Sequence, residues 1–189
     1  KSNGTAAGTV LVKNIAAGIA GASLTSLTNV NGALCFSAND GTTGAELWKS
    51  NGTSAGTLLV KDIAPGTASS SPQSLTAVGT TLYFTATQGT LGRELWKSNG
   101  TSAGTVLVKD ISTTGSSTPH YLTNVNGTLY FSAKNNTAGY ELWKTNGTAA
   151  GTLLVKDIST QAVGSSPRSL TNVNGTLYFS ADNGTNGRE

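Results

Sequence analysis

Apolar and polar positions along this chain alternate in short stretches, and Gly or Asn-Gly interrupts them about every ten residues. No segment carries apolar residues at helical spacing. One unit contains four apolar stretches, SLTAV (74–78), TLYFTA (81–86), ELWKS (94–98) and TVLVKDI (105–111). Their β-branched, aromatic and Leu residues favour strands. The pattern therefore predicts units of four strands.

Within the second strand, alternation places Leu82, Phe84 and Ala86 on one face and Tyr83 and Thr85 on the other. Both faces are apolar in part, so we expect units to pack against each other through them. Asn-Gly at 31–32, 126–127 and 174–175 predicts type I′ hairpins, and Gly79 serves in the second unit. The short connections predict antiparallel neighbours, followed by a Gly/Ser/Pro-rich crossing to the next unit.

The words ELWKSNGTSAGT (46–57 and 94–105) and ELWKTNGTAAGT (141–152) repeat with a period of about 48 residues. Equivalent segments begin at Lys1, Lys49, Lys97 and Lys144. These starting points divide a single repeat domain into repeats 1–48, 49–96, 97–143 and 144–189. Four antiparallel strands and a longer crossing predict an all-β fold, a β-propeller-type array of four-stranded blades. The recurring Trp residues are predicted to pack between blades or, alternatively, to form carbohydrate-binding platforms: Trp48, Trp96 and Trp143.

These words, preceded by TLYFSA and followed by LLVKDI, resemble the ELWxxDGT repeat family of bacterial surface and secreted proteins, in register over all four units. The resemblance implies a propeller-type fold and an extracellular or cell-surface location. It implies no defined activity. Where the family pattern has Asp, this chain has Asn3, Asn51, Asn99 and Asn146. The loss of these carboxylates argues against calcium, so no metal site and no cofactor are predicted.

Charge is sparse and dispersed, with 12 basic and 9 acidic residues giving a net charge of +3. Because the basic residues are spread over the repeats, we expect no nucleic-acid partner. No apolar run is long enough to predict membrane insertion. Cys35 in ALCFSA occupies the place of Tyr83 in TLYFTA, so it is interpreted as a substituted strand residue.

The sequence predicts no enzyme and no catalytic residue. Its one histidine, His120, falls in a crossing segment, and a Glu recurs in every repeat (Glu46, Glu94, Glu141 and Glu189). Residues present in every copy are typical of repeat architecture, whereas an active site needs different groups converging on one point. We expect the glutamates to pair with lysines of neighbouring strands.

Eight asparagines stand in Asn-x-Thr sequons, and a turn entering a Thr-rich strand creates some of them automatically. Substitution of Asp by Asn in every ELW turn nevertheless predicts glycosylation there first. The predicted sites, in that order of preference, are Asn3, Asn51, Asn99 and Asn146, then Asn126, Asn174, Asn183 and Asn135.

The first and last repeats are expected to be incomplete and complementary, with residues 1–15 completing the blade begun by residues 169–181. A closed ring, head-to-tail assembly and a window on a longer array all fit this pattern. The sequence thus predicts a non-catalytic extracellular structural or adhesive protein that is glycosylated and self-associates by strand complementation. The alternative is a multivalent carbohydrate-binding propeller with glycans as partners.

Overall fold

The computed structural model describes residues 1–18 and 21–189. It is an all-β structure with three four-stranded antiparallel sheets and one two-stranded sheet. Within the described ranges, the only helical element is a 3₁₀ turn at Gly89–Leu91. None of the helical structure described is long and apolar enough to cross a bilayer.

The strands follow one another along the chain and occupy neighbouring places in each sheet. The first sheet contains β1 (Thr25–Val30), β2 (Ala33–Asn39), β3 (Ala45–Ser50) and β4 (Leu58–Lys61). The second contains β5 (Gln73–Val78), β6 (Thr81–Gln88), β7 (Gly92–Ser98) and β8 (Val106–Lys109). The third contains β9 (His120–Val125), β10 (Thr128–Ala133), β11 (Glu141–Thr145) and β12 (Leu153–Lys156). The fourth contains β13 (Arg168–Val173) and β14 (Thr176–Ser180).

The predicted hairpin turns are confirmed between the first two strands of the sheets. Asn31 and Gly32 have φ values of 49° and 83°, the positive pair that a type I′ turn requires. The carboxamide of Asn29 accepts a hydrogen bond from the Gly32 N–H at 3.0 Å. In the second sheet Ala77 stands where Asn29 stands in the first, and the Asn-Gly pair is absent as well. The turn and the side chain that supports it therefore change together.

Apolar side chains fill the spaces between consecutive sheets, so the predicted two-sided strand is confirmed. The face of β6 with Leu82, Phe84 and Ala86 packs on the first sheet, and Tyr83 packs on the third. The cluster between the first and second sheets also contains Val30, Cys35, Leu47, Val60, Ile63 and Trp96. Consecutive sheets thus stabilise each other through the hydrophobic effect.

The first strands of successive sheets lie beside one another. The Thr28 hydroxyl donates to the Leu75 carbonyl at 3.4 Å, and the Thr123 hydroxyl donates to the Leu170 carbonyl at 3.1 Å. The same link joins Thr76 to Leu122 at 3.4 Å. One row of first strands therefore runs through all four sheets.

Two strand predictions need correction. The fourth strand, predicted at 105–111, is only Val106–Lys109, because the backbone N–H of Ile111 turns to a buried carboxylate instead of a strand. Residues 1–15 contain no strand. They form a loop closed by hydrogen bonds between the Lys1 and Val10 backbones, and no strand of the described ranges pairs with residues 10–13.

Candidate functional site

A buried glutamate ties each four-stranded sheet to the crossing that follows it. Glu94 has none of its surface exposed. Its carboxylate accepts hydrogen bonds from the Ile111 N–H at 3.2 Å, from the Ser117 N–H at 2.6 Å and from the Ser117 hydroxyl. The prediction that these glutamates pair with lysines is wrong. The backbone of the crossing supplies the donors, since it has no strand partner there.

The other two buried copies make the same contacts. Glu46 accepts from the Ser70 N–H at 2.8 Å and the Ser70 hydroxyl at 2.5 Å, and Glu141 accepts from the Ser165 N–H at 2.7 Å. Burial raises the pKa of Glu46 and Glu94, and the hydrogen bonds from the crossing act in the opposite direction. The recurring carboxylates therefore hold the chain path, as their presence in every repeat indicated.

The recurring lysines reach forward to the next sheet. The Nζ of Lys49 donates to the Gly100 carbonyl at 2.8 Å, and that of Lys97 donates to the Gly147 carbonyl at 2.7 Å. A second row does the same, with Lys61 Nζ 2.9 Å from the Thr105 carbonyl. Each ammonium thus satisfies a loop carbonyl of the neighbouring unit, which fixes the offset between sheets.

The three tryptophans lie between sheets. Trp48, Trp96 and Trp143 are 6%, 3% and 6% exposed. Trp96 packs with residues of the first sheet, and Trp143 packs with residues of the second. Their indole Nε1 atoms have no hydrogen-bond partner among the described residues. The structure places all three in the packing role and leaves the sugar-stacking alternative without an exposed ring face.

The loop after each ELW strand has one repeated geometry. Asn51 Oδ1 accepts from the Thr53 N–H at 3.0 Å and from the Thr53 hydroxyl at 2.7 Å. A Cβ atom at Gly56 would lie 2.0 Å from that Oδ1 atom, so only glycine fits beside the carboxamide. Asn3, Asn99 and Asn146 make the same contacts with Thr5, Thr101 and Thr148. All four asparagines are exposed.

The remaining sequons occupy other settings. Asn126 and Asn174 lie exposed in hairpin turns at φ 50°. Asn183 is exposed and accepts from the Thr185 N–H at 2.9 Å. Asn135 is half-buried and accepts from the Thr137 N–H at 3.0 Å. Glycosylation at these sequons stays a prediction.

The face that each sheet presents to its successor is covered in the first two sheets, only partly covered in the third by the two-stranded fourth sheet, and open in the fourth. Val60 and Val108 are 5% and 4% exposed under the next sheet, whereas the equivalent Val155 is 43% exposed. Tyr83 is 6% exposed, whereas the equivalent Tyr178 is 60% exposed. At the other end, an apolar groove of about 750 Å³ opens beside Leu34 and Phe36 of the first sheet.

Cys35 and His120 lie in different sheets. Cys35 is buried in β2, as interpreted from the sequence, and burial raises the pKa of its thiol. His120, predicted in a crossing, is instead the first residue of β9. No group of three or more His, Cys, Asp or Glu side chains within the described ranges could hold a metal ion.

Comparison of the chain with models of known protein families and with curated proteins found no match in either. The resemblance to the ELWxxDGT repeats therefore stays a prediction based on the residues quoted for it.

Proposed function

We propose that the chain is a non-catalytic structural or adhesive repeat protein of the cell exterior, in which the sheets act as blades of a β-propeller-type array that assembles head to tail. The single observation that carries the proposal is a sheet face that is exposed at the end of the array, although a following sheet covers the equivalent face of earlier sheets. Tyr178 of the fourth sheet is exposed where the equivalent Tyr83 is buried by a following sheet, and Val155 of the third sheet is exposed because the fourth sheet has only two strands.

The groove on the first sheet supports a matching surface for that face. Phe36 lines the groove, and it is equivalent to Phe84, which packs against Cys35 of the preceding sheet. Tyr178 occupies the position of Cys35 in the fourth sheet. We therefore assign the groove to the β13–β14 hairpin of a second copy. Tyr178 of that hairpin is equivalent to Cys35 and Tyr83, and each of these two residues packs against a Phe of the following sheet.

Strand complementation by residues 1–15 forms part of this proposal. No strand in the described part of the chain pairs with residues 10–13, and Leu11 is 81% exposed. A head-to-tail contact of this kind joins different faces of two copies, so it closes into a ring or propagates as a filament. Both products bury the same apolar surfaces.

Glycosylation at the ELW loops is the second part of the proposal. In Asn51 and Asn99 the Oδ1 atom is engaged by the following Thr, while Nδ2 makes no hydrogen bond to another described residue. Nδ2 is the atom to which a glycosyl group would be attached, and both side chains are exposed. A sugar coat would add solubility to a chain with 11% charged residues.

Sedimentation velocity over a range of concentrations tests the assembly. We expect oligomers whose mass grows with concentration, and we expect Tyr178→Lys to abolish them, because a buried lysine without a partner is costly. Tyr121→Lys is the matched control, since Tyr121 is also exposed but lies on a different strand. A wild-type protein that is monomeric at every concentration would refute the assembly.

Intact mass spectrometry of protein secreted by a glycosylating host tests the sugar. Asn99→Asp keeps the oxygen that accepts from Thr101 and removes the amide, so it should lose one glycan mass without loss of folding. An unmodified wild-type mass would contradict glycosylation and leave the assembly proposal standing.

A further inference from the structure

One position of the repeat differs in every unit, and a second carries three different residues in four units, while the residues around them recur. The first strands begin with Thr25, Gln73, His120 and Arg168 and then continue almost identically. The residue before each recurring glutamate is Ala45, Arg93, Tyr140 or Arg188. All three arginines and the only histidine of the chain occupy these two positions. The arginines and the histidine of the repeats are thus concentrated near one end of the first strands.

Part of this set converges on one cavity. A cavity of about 740 Å³ opens at the beginnings of β5, β9 and β13, and its walls include Ser74, His120, Tyr121, Tyr140 and Arg168. The His120 ring centroid lies 6.0 Å from that of Tyr140 and 6.3 Å from that of Tyr121. Different functional groups therefore meet at one point in this cavity, which is the criterion for a site that the recurring glutamates do not meet.

The cavity has positive character and unused donors. Arg168, His120 and Tyr121 make no side-chain hydrogen bond to any other residue in the described ranges, and none of the residues lining the cavity is acidic. Behind them, Arg93 is held by the Ser71 carbonyl at 3.0 Å and the Thr85 hydroxyl at 3.1 Å. Partial burial and the Arg93 charge lower the pKa of His120. The charge of Arg93, which these hydrogen bonds hold in place, thus adds to the positive field of the Arg168 guanidinium in the cavity.

Tyr121 is held in a backbone conformation that a bulky residue rarely adopts. It follows the first residue of β9 at a β-bulge with φ 56°. Ser26, Ser74 and Ser169 occupy the same bulge in the other units at φ 58°, 54° and 54°. Left-handed backbone disfavours large side chains, and bulges redirect the side chain that they carry. One unit alone presents an exposed aromatic ring at the rim of the cavity.

We infer that this cavity binds a hydroxylated carboxylate of the uronic acid class. The planar guanidinium of Arg168 matches a carboxylate, and the free imidazole of His120 and the Ser74 hydroxyl suit sugar hydroxyls. The Tyr121 ring offers a flat apolar surface to the C–H face of a pyranose. This site is separate from the stacking faces and does not depend on the proposed assembly. Free uronate and a residue of an acidic polysaccharide share this chemistry.

Titration of ¹⁵N-labelled protein with galacturonate, followed by NMR, tests the inference, with galactose and acetate as probes that each lack one part of the ligand. We expect saturable shifts at His120, Tyr121 and Arg168, and binding by galactose and acetate at least about tenfold weaker. Arg168→Gln and Tyr121→Ser should each weaken galacturonate binding about tenfold. Both substitutions install the residue that another unit carries at the same position, so the fold is expected to persist.

The comparison of galacturonate with trigalacturonate distinguishes the two sources. Tighter binding of the trimer would assign the site to a polysaccharide, and equal binding would assign it to the free acid. Equal binding of acetate would overturn the sugar specificity, and equal binding of galactose would overturn the role of Arg168. An absence of shifts at the cavity residues with galacturonate would overturn the inference as a whole.

Discussion

Tyr83 and Tyr178 occupy the same position of the repeat but differ in solvent exposure. Tyr83 is 6% exposed because the third sheet covers it, whereas Tyr178 is 60% exposed in the fourth sheet. The residues before and after them are also nearly the same, LYF in both. Burial in this molecule is therefore a property of the neighbouring unit and not of the local sequence. The same contrast separates Val108, which is 4% exposed, from the equivalent Val155, which is 43% exposed.

The buried glutamate is the position where this contrast should have its largest energetic effect. Glu94→Leu leaves the Ile111 N–H, the Ser117 N–H and the Ser117 hydroxyl without an acceptor. At about 1–3 kcal/mol for each orphaned buried group, we expect a loss of about 4 kcal/mol or more. Glu189→Leu is the exposed counterpart and should change the unfolding free energy by less than about 0.5 kcal/mol. Urea denaturation of both variants measures the difference, and equal losses would contradict it.

Truncation of the paired tyrosines should give the next largest difference. Tyr83→Ala removes a ring from the cluster with Phe131 and Trp143 and should cost about 3 kcal/mol. Tyr178→Ala should cost less than about 1 kcal/mol in the monomer, since most of the ring is already in water. Thermal unfolding at low protein concentration gives the comparison. A large loss for Tyr178→Ala would mean that its face is covered in the monomer.

The lysine rows predict a smaller effect. Lys97→Met removes the bond to the Gly147 carbonyl, and the expected loss is about 1 kcal/mol because the site is half-buried. Lys144, the next copy, has no such acceptor among the described residues, so Lys144→Met should be neutral within about 0.5 kcal/mol. Chemical denaturation of the two variants side by side is the measurement. A neutral Lys97→Met would show that the lysine rows do not set the offset between sheets.

The pH dependence of stability should show the smallest effect. Because burial raises the pKa of Glu46 and Glu94 in the folded chain, their contribution is fully present below the unfolded pKa and is lost as pH rises through the folded pKa. The midpoint of thermal unfolding should therefore fall from this source as pH rises above about 4, the usual pKa of a glutamate in an unfolded chain. Glu94→Gln should fall less steeply over the same range. A steeper fall in the variant would contradict the sign.

The strands and their faces could be predicted from the sequence because alternation and turn chemistry are local signals. The predicted strand at 81–86 is Thr81–Gln88 in the structure, and the opposite packing of Phe84 and Tyr83 follows from the period of two. The fourth strand was predicted too long. Ile111 is apolar and continues the pattern, but its N–H leaves the ladder for Glu94, a contact across 17 residues that no local pattern encodes.

The contacts between units could not be predicted for a related reason. The carbonyl acceptors of Lys49 and Lys97 lie about fifty residues ahead, and they depend on the offset of adjacent sheets. The cavity does not follow from the sequence pattern, because His120 is predicted in a crossing and has no histidine counterpart in the other units. A comparison of the units position by position would have grouped His120 with Gln73 and Arg168 and pointed to one end of the first strands.

Hydrogen exchange of β14 as a function of protein concentration tests the central claim most directly, because it compares copies of one strand within the same sample. The account predicts that the amides of Thr176–Ser180 are weakly protected in dilute solution. Their protection should rise with concentration toward that of Thr81–Gln88 and Thr128–Ala133, which a following sheet already covers. Protection of β14 that stays low at every concentration would contradict the claim that this face is built to receive another copy.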